Sequence, residues 1–90
     1  MKDWEQDDVN DWLCKELRKC GADEGVVQSF LNETIAPYFL ATWTYKKLQE
    51  KFVDILSKYT EKGEAVDYAE HLTEARDLHE GKQALNSLMK

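Results

Sequence analysis

Trp4-Glu5-Gln6-Asp7-Asp8-Val9-Asn10-Asp11-Trp12-Leu13 writes a helix start and a core-facing stripe into one short run. Asp7 or Asp8 is placed to act as N-cap, accepting a hydrogen bond from an otherwise unpaired amide of the first turn, and the neighbouring carboxylates suit the positive end of the helix dipole. Val9, Trp12, Leu13, Leu17 and Cys20 then recur at steps of three or four, the spacing of one buried helical face. Trp4, just outside the cap, is expected to fold back on Trp12 or Leu13 as a hydrophobic staple. On this reading the tryptophans belong to the core and not to a ligand platform.

Working outward, Gly21 follows the end of the stripe where a left-handed C-cap is wanted, so the first helix is expected over Val9 to Lys19. Asp23 or Glu24 opens a short second helix with Val26, Val27, Phe30 and Leu31 on one face. Pro37 suits a first helical position, which predicts a brief third helix over residues 37–41. Thr42 or Thr44 caps a fourth, in which Tyr45, Leu48, Phe52, Ile55, Leu56 and Tyr59 share a face and Lys46, Lys47, Glu50, Lys51, Asp54 and Lys58 stay in water. Thr60-Glu61-Lys62-Gly63 breaks it. A final helix carries Val66, Ala69 and Leu72 with Ala65, Tyr68 and Ala75 alongside, a narrower and smaller-sided face. Gly81 is read as its end or a kink, followed by an apolar pair of turns at Ala84, Leu85, Leu88 and Met89. These segments predict one all-α bundle of about five helices in residues 1–80, with 81–90 as a C-terminal helical extension or tail.

The composition agrees. Ninety residues suffice for one domain, and a chain of that length buries about 60–70% of its unfolded surface without metal or disulfide support. One proline and four glycines interrupt it, and helix-forming Ala, Leu, Glu, Lys and Gln are abundant. The net charge of −6 is unevenly spread: residues 1–35 carry nine acids against four bases, 36–62 three against five, and 63–90 six against three. A mildly basic middle between acidic flanks argues against nucleic acid and anionic membranes, both of which ask for a basic stripe. It favours steering toward a protein surface of opposite sign. No apolar run of eighteen residues, secretory signal or lipidation motif is present, so no membrane insertion is expected. Two cysteines make no disulfide framework, which points to an intracellular, cytoplasmic setting.

Trp4, Asp8-Val9-x-x-Trp12-Leu13, Leu17, Cys20-Gly21, Val27-x-x-Phe30 and Ile35 together resemble the sterile alpha motif (SAM) domain, mainly over residues 4–40. Phe39 and Leu40 resemble the leucine pair of the family's third helix, and Gly63-Glu64 resembles the glycine opening its long last helix. The second half departs from the pattern. The fourth helix reads longer than the family norm, and Glu64 stands where a basic residue often follows that glycine. The resemblance implies a SAM-like bundle and a non-catalytic protein-protein interaction module, serving self-association or scaffolding in signalling or regulation. Its partner would be a second copy or another helical domain. Because the family commonly joins the start of the last helix to a mid-domain surface, Lys58, Lys62, Gly63 and Glu64 are candidates for one side. Asp23, Glu24 and Glu33 are candidates for the other, with Tyr38 or Trp43 as an apolar anchor.

Other chemistry finds little support in the residues. Cys14 and Cys20 are separated by five residues and His71 and His79 by seven, spacings that fit no zinc motif. The bland reading is two helical histidines, one core cysteine and one partly exposed one. No nucleophile elbow or phosphate-binding glycine loop occurs, and the paired acids near the N-terminus lie in a capping context. No cofactor, metal or enzymatic activity is expected. A different class of function, a small acidic regulator that covers a basic protein surface as a nucleic-acid mimic, is compatible with the charge. RNA binding by a SAM-like domain is a third reading, which the charge distribution opposes.

Overall fold

The computed structural model describes residues 3–80, so Gly81 and the apolar turns expected after it lie outside the described residues. Five helices follow in chain order: α1 Gln6–Lys19, α2 Glu24–Leu31, α3 Pro37–Thr42, α4 Tyr45–Leu56 and α5 Lys62–His79. The all-α bundle expected from periodicity is what forms.

Helix α1 begins three residues earlier than expected, with Glu5 rather than Asp7 or Asp8 at the N-cap. The backbone amide of Glu5 donates to the Asp8 carboxylate at 3.0 Å, so Asp8 serves from inside the first turn, as the reciprocal half of a capping box. Trp4 does fold back: its ring meets Trp12 edge-on at 6.3 Å and has His79 on another side at 5.1 Å. At the other end Gly21 takes φ +81°. Its amide donates to the Arg18 carbonyl and that of Ala22 to the Leu17 carbonyl, the double bond pattern of a Schellman motif. The Asp23 side chain caps α2 by accepting from the Gly25 amide. Thr44 caps α4 by accepting from that of Lys47.

Inside, Val9, Leu13 and Leu17 of α1, Val27 and Phe30 of α2, Leu40 of α3, Leu48, Phe52 and Leu56 of α4, and Ala65, Ala69 and Leu72 of α5 form one cluster. Phe30 and Phe52 meet at its centre with ring centroids 5.6 Å apart. Helix α5 packs chiefly on α4 and also on α1, and its alanines allow the close approach. The apolar face of α5 is completed in a way the pattern did not indicate, by buried Thr73, Arg76 and Asp77, while Val66 is only half-buried. Thr73 returns its hydroxyl to the Ala69 carbonyl at 2.6 Å. Arg76 donates from Nε to Asp77 at 2.7 Å and from Nη1 to the carbonyls of Leu40 and Trp43 at 2.8 and 2.6 Å. Those carbonyls belong to the end of α3, so a cation from α5 closes and orients that short helix.

Candidate functional site

The turn between α2 and α3 sets the shape of the site. Gln6 reaches across from α1 and donates its side-chain amide to the Ile35 carbonyl at 2.8 Å, fixing the loop to the bundle. Thr34 is held at φ +53°, a left-handed conformation that a β-branched residue rarely adopts. Beyond it Ala36 is extended, as a residue before proline prefers, and Pro37 starts α3. Replacing Thr34 with glycine should remove the steric cost of the left-handed region. With glycine's own loss of chain entropy set against that, urea unfolding should show a gain of about 0.5–1 kcal/mol.

This geometry turns one side of α3 outward. Leu40 is fully buried, but Phe39 is 44% and Tyr38 58% exposed, so of the two residues that resemble the family's leucine pair only Leu40 enters the core. Tyr38 meets Phe39 edge-on at 5.9 Å, and Phe39 meets Trp43 at 5.0 Å, giving a contiguous aromatic ridge. Trp43 itself is half-buried, with the Lys47 ammonium 4.9 Å from its ring centroid. Beside the ridge lies a hollow of about 220 Å³, lined by Ile35, Ala36, Phe39, Trp43, Leu48 and Ile55 and rimmed by Glu33, Thr34 and Lys51.

The charged candidates fall into separate places. Glu33 and Lys58, expected on opposite interaction surfaces, meet within one molecule at 3.7 Å. Glu33 also accepts a hydrogen bond from the Tyr59 hydroxyl. Tyr59 is thus not the core residue its stripe implied: it follows the end of α4 and is 38% exposed. Asp23 is spent as the α2 cap, and Glu24 pairs with Arg18 across the α1–α2 turn. Lys62, Gly63 and Glu64 form the exposed first turn of α5, where Glu64 accepts from the Thr60 hydroxyl at 2.7 Å. Tyr38 and Trp43 are brought together through Phe39; Lys62 to Glu64 are not brought to them.

The Tyr59 hydroxyl first, then the ammonium groups of Lys58 and Lys51, hold the Glu33 carboxyl below the ordinary carboxylate range, and the hydrogen bond to that carboxylate in turn raises the Tyr59 hydroxyl. A carboxyl depressed in the folded state contributes stability above its unfolded value, near 4.5, and loses that contribution as pH falls through the folded value. Tyr59→Phe should therefore move the Glu33 midpoint, followed by carboxyl NMR, upward toward the ordinary value. Glu33→Gln should flatten the acid side of the stability curve below that pH.

The soft ligands serve packing. His71 Nε2 lies 3.0 Å from Glu16, which also pairs with Lys19, so the pair links α5 to α1. Both cysteines are free and half-buried, so neither is the core cysteine expected. Burial, with Glu16 nearby, pushes the Cys20 thiol upward and makes it a poor nucleophile. Among the described residues no group of three metal-ligating side chains converges, and no helix is long and apolar enough to cross a membrane. Phe39, Lys47, Lys51 and Thr34 are the site residues that sequence reasoning passed over. Comparison of the chain with known protein families, with curated proteins and with solved structures finds no match.

Proposed function

We propose that this chain is a non-catalytic protein-protein interaction module of SAM-like architecture, and that it engages its partner through the outward face of α3. The observation that carries this reading is the exposure of adjacent Tyr38 and Phe39 beside a hollow with apolar walls; Tyr59 and Leu78 are also exposed among the described residues, but neither lines that hollow. Aromatic residues clustered around a pocket are the usual anchors of protein interfaces. The bundle of five helices with a brief α3 and a long α5 is compatible with the SAM resemblance, and α4, at twelve residues, keeps the departure from it.

The partner is a second copy or another protein, and one experiment separates them. Light scattering over a concentration series detects self-association. A photoreactive phenylalanine analogue at Tyr38, compared with the same group at Ser57, captures a separate partner in native extract. Concentration-dependent mass lost in a Tyr38→Ser/Phe39→Ser variant, or a crosslink specific to position 38, supports the reading. A monomer at every concentration with equal crosslinking from both positions overturns it.

A further inference from the structure

The rim of the α3 hollow has a sign of its own. Lys51 lies on that rim and Lys47, one turn before it on α4, lies over the Trp43 ring at the hollow's edge; among the described residues neither forms an ion pair, although Lys51 is near enough to help lower the Glu33 carboxyl. The single acid on the rim, Glu33, is already met by Tyr59 and Lys58. In a chain of net charge −6, this face is therefore locally positive around an apolar centre. At about 220 Å³ the hollow is smaller than the roughly 300 Å³ at which pockets for drug-sized ligands begin, a size for one side chain. Its apolar walls are Ile35, Ala36, Phe39 and Trp43 over buried Leu48 and Ile55, and its polar side chains, Glu33, Thr34 and Lys51, stand on the rim.

We propose that the hollow takes an acidic peptide segment of a protein partner, with one bulky apolar side chain seated between Ile35, Phe39 and Trp43 and flanking carboxylates met by Lys47 and Lys51. This rests on the reading of the α3 face as the protein-binding surface and adds the chemistry of what binds. A single-stranded nucleic acid would bring the same negative charge, but it needs free ring faces for its bases to stack on. Here Phe39 and Trp43 lean on one another at an interplanar angle of 36°, and Lys47 covers Trp43. The Gln6 side-chain hydrogen bond to the Ile35 carbonyl keeps this rim in place before binding, which lowers the ordering cost of association.

The test is a titration of the isotopically labelled protein, read from its amide NMR spectrum, with four probes. These are a short aspartate- and glutamate-rich peptide with a central leucine, the same peptide with central alanine, its lysine-rich counterpart, and oligouridylate. The leucine-centred acidic peptide is expected to shift amides between residues 33 and 55, less so as salt rises. Central alanine, or Lys47→Glu/Lys51→Glu in the protein, should weaken binding at least about tenfold, the charge-reversed protein being titrated below its own thermal midpoint with an amide spectrum that shows it folded. The lysine-rich peptide should leave the spectrum unchanged.

The proposal is overturned if the acidic peptide shifts nothing at about 1 mM, where even weak association registers. It is overturned equally if the charge-reversed protein binds as well, or if oligouridylate shifts the same amides more strongly. Should the peptides fail while Tyr38→Ser/Phe39→Ser still abolishes association or crosslinking, this inference falls and the interaction reading stands. Should that variant change nothing either, both fall.

Discussion

Arg76→Met is expected to lower the free energy of unfolding by about 3–5 kcal/mol, a large part of the roughly 5–15 kcal/mol that a domain possesses. Arg76 is fully buried, and its loss acts at two places at once. Asp77, 6% exposed, is left as a buried charge without its partner, and the carbonyls of Leu40 and Trp43 lose the donor that closes α3. An orphaned buried acceptor costs about 1–3 kcal/mol. The two terms separate in a double-mutant cycle followed by urea unfolding. Arg76→Met/Asp77→Leu removes the orphaned charge and should recover part of the loss, whereas the carbonyls of α3 stay unpaired and keep the remainder. If Arg76→Met alone costs under about 1 kcal/mol, the guanidinium is not holding α3. The amide spectrum of the single variant should change most over residues 37–43, far along the chain from the substitution.

What could be read in advance and what could not divide along a physical line. Gly21, Asp23, Pro37 and Thr44 are local devices whose partners lie within a turn or two, and each acts where its residue type indicated. The start of α1 was misplaced because two aspartates are better caps than glutamate by type, while the observed box uses Asp8 from within the helix. Arg76 and Asp77 carry no local signal at all, since an arginine enters a core only when carbonyls from another part of the chain await it. Tyr59 continued an apolar stripe past the point where α4 stops, and a stripe says nothing once the helix that rotates it has ended. The separation of Glu33 from Lys58 into opposing surfaces failed likewise: their proximity depends on how the α2–α3 turn lies against the end of α4. The candidate site was legible only in part. Tyr38 and Trp43 were named from their type, but the hollow beside them is made by Thr34 and Ile35 together with Leu48 and Ile55, contacts that no spacing records.

Phe39 and Leu40, adjacent on a six-residue helix, should separate stability from binding more sharply than any other pair in the chain. A helix of under two turns has too few residues for periodicity to say which of two neighbouring apolar side chains faces inward, and the family resemblance matched the two as a pair without telling them apart. Leu40 is 0% exposed and is the buried residue of α3, so Leu40→Ala leaves a cavity under the helix and should cost about 2–5 kcal/mol in urea unfolding. Phe39 already keeps 44% of its surface in water, and its truncation gives up ring contacts with Tyr38 and Trp43 but opens no enclosed void. Phe39→Ala should therefore cost about 1 kcal/mol or less in stability. At the interface the order reverses. An aromatic anchor at the edge of a pocket contributes 2 kcal/mol or more in many complexes, so Phe39→Ala should weaken association with the partner by about thirtyfold. Leu40→Ala, assayed at low temperature where it remains folded, should weaken it only as far as α3 loosens. Equal binding by wild type and Phe39→Ala, with partner identity already secured by crosslinking, would remove α3 from the interface. Unaltered stability in Leu40→Ala would instead place the error in the packing of α3 on the bundle. Since the substitutions are one residue apart on the same helix, one side chain buried and the other in water, any loss common to both reports the helix, and only the difference between them reports the surface.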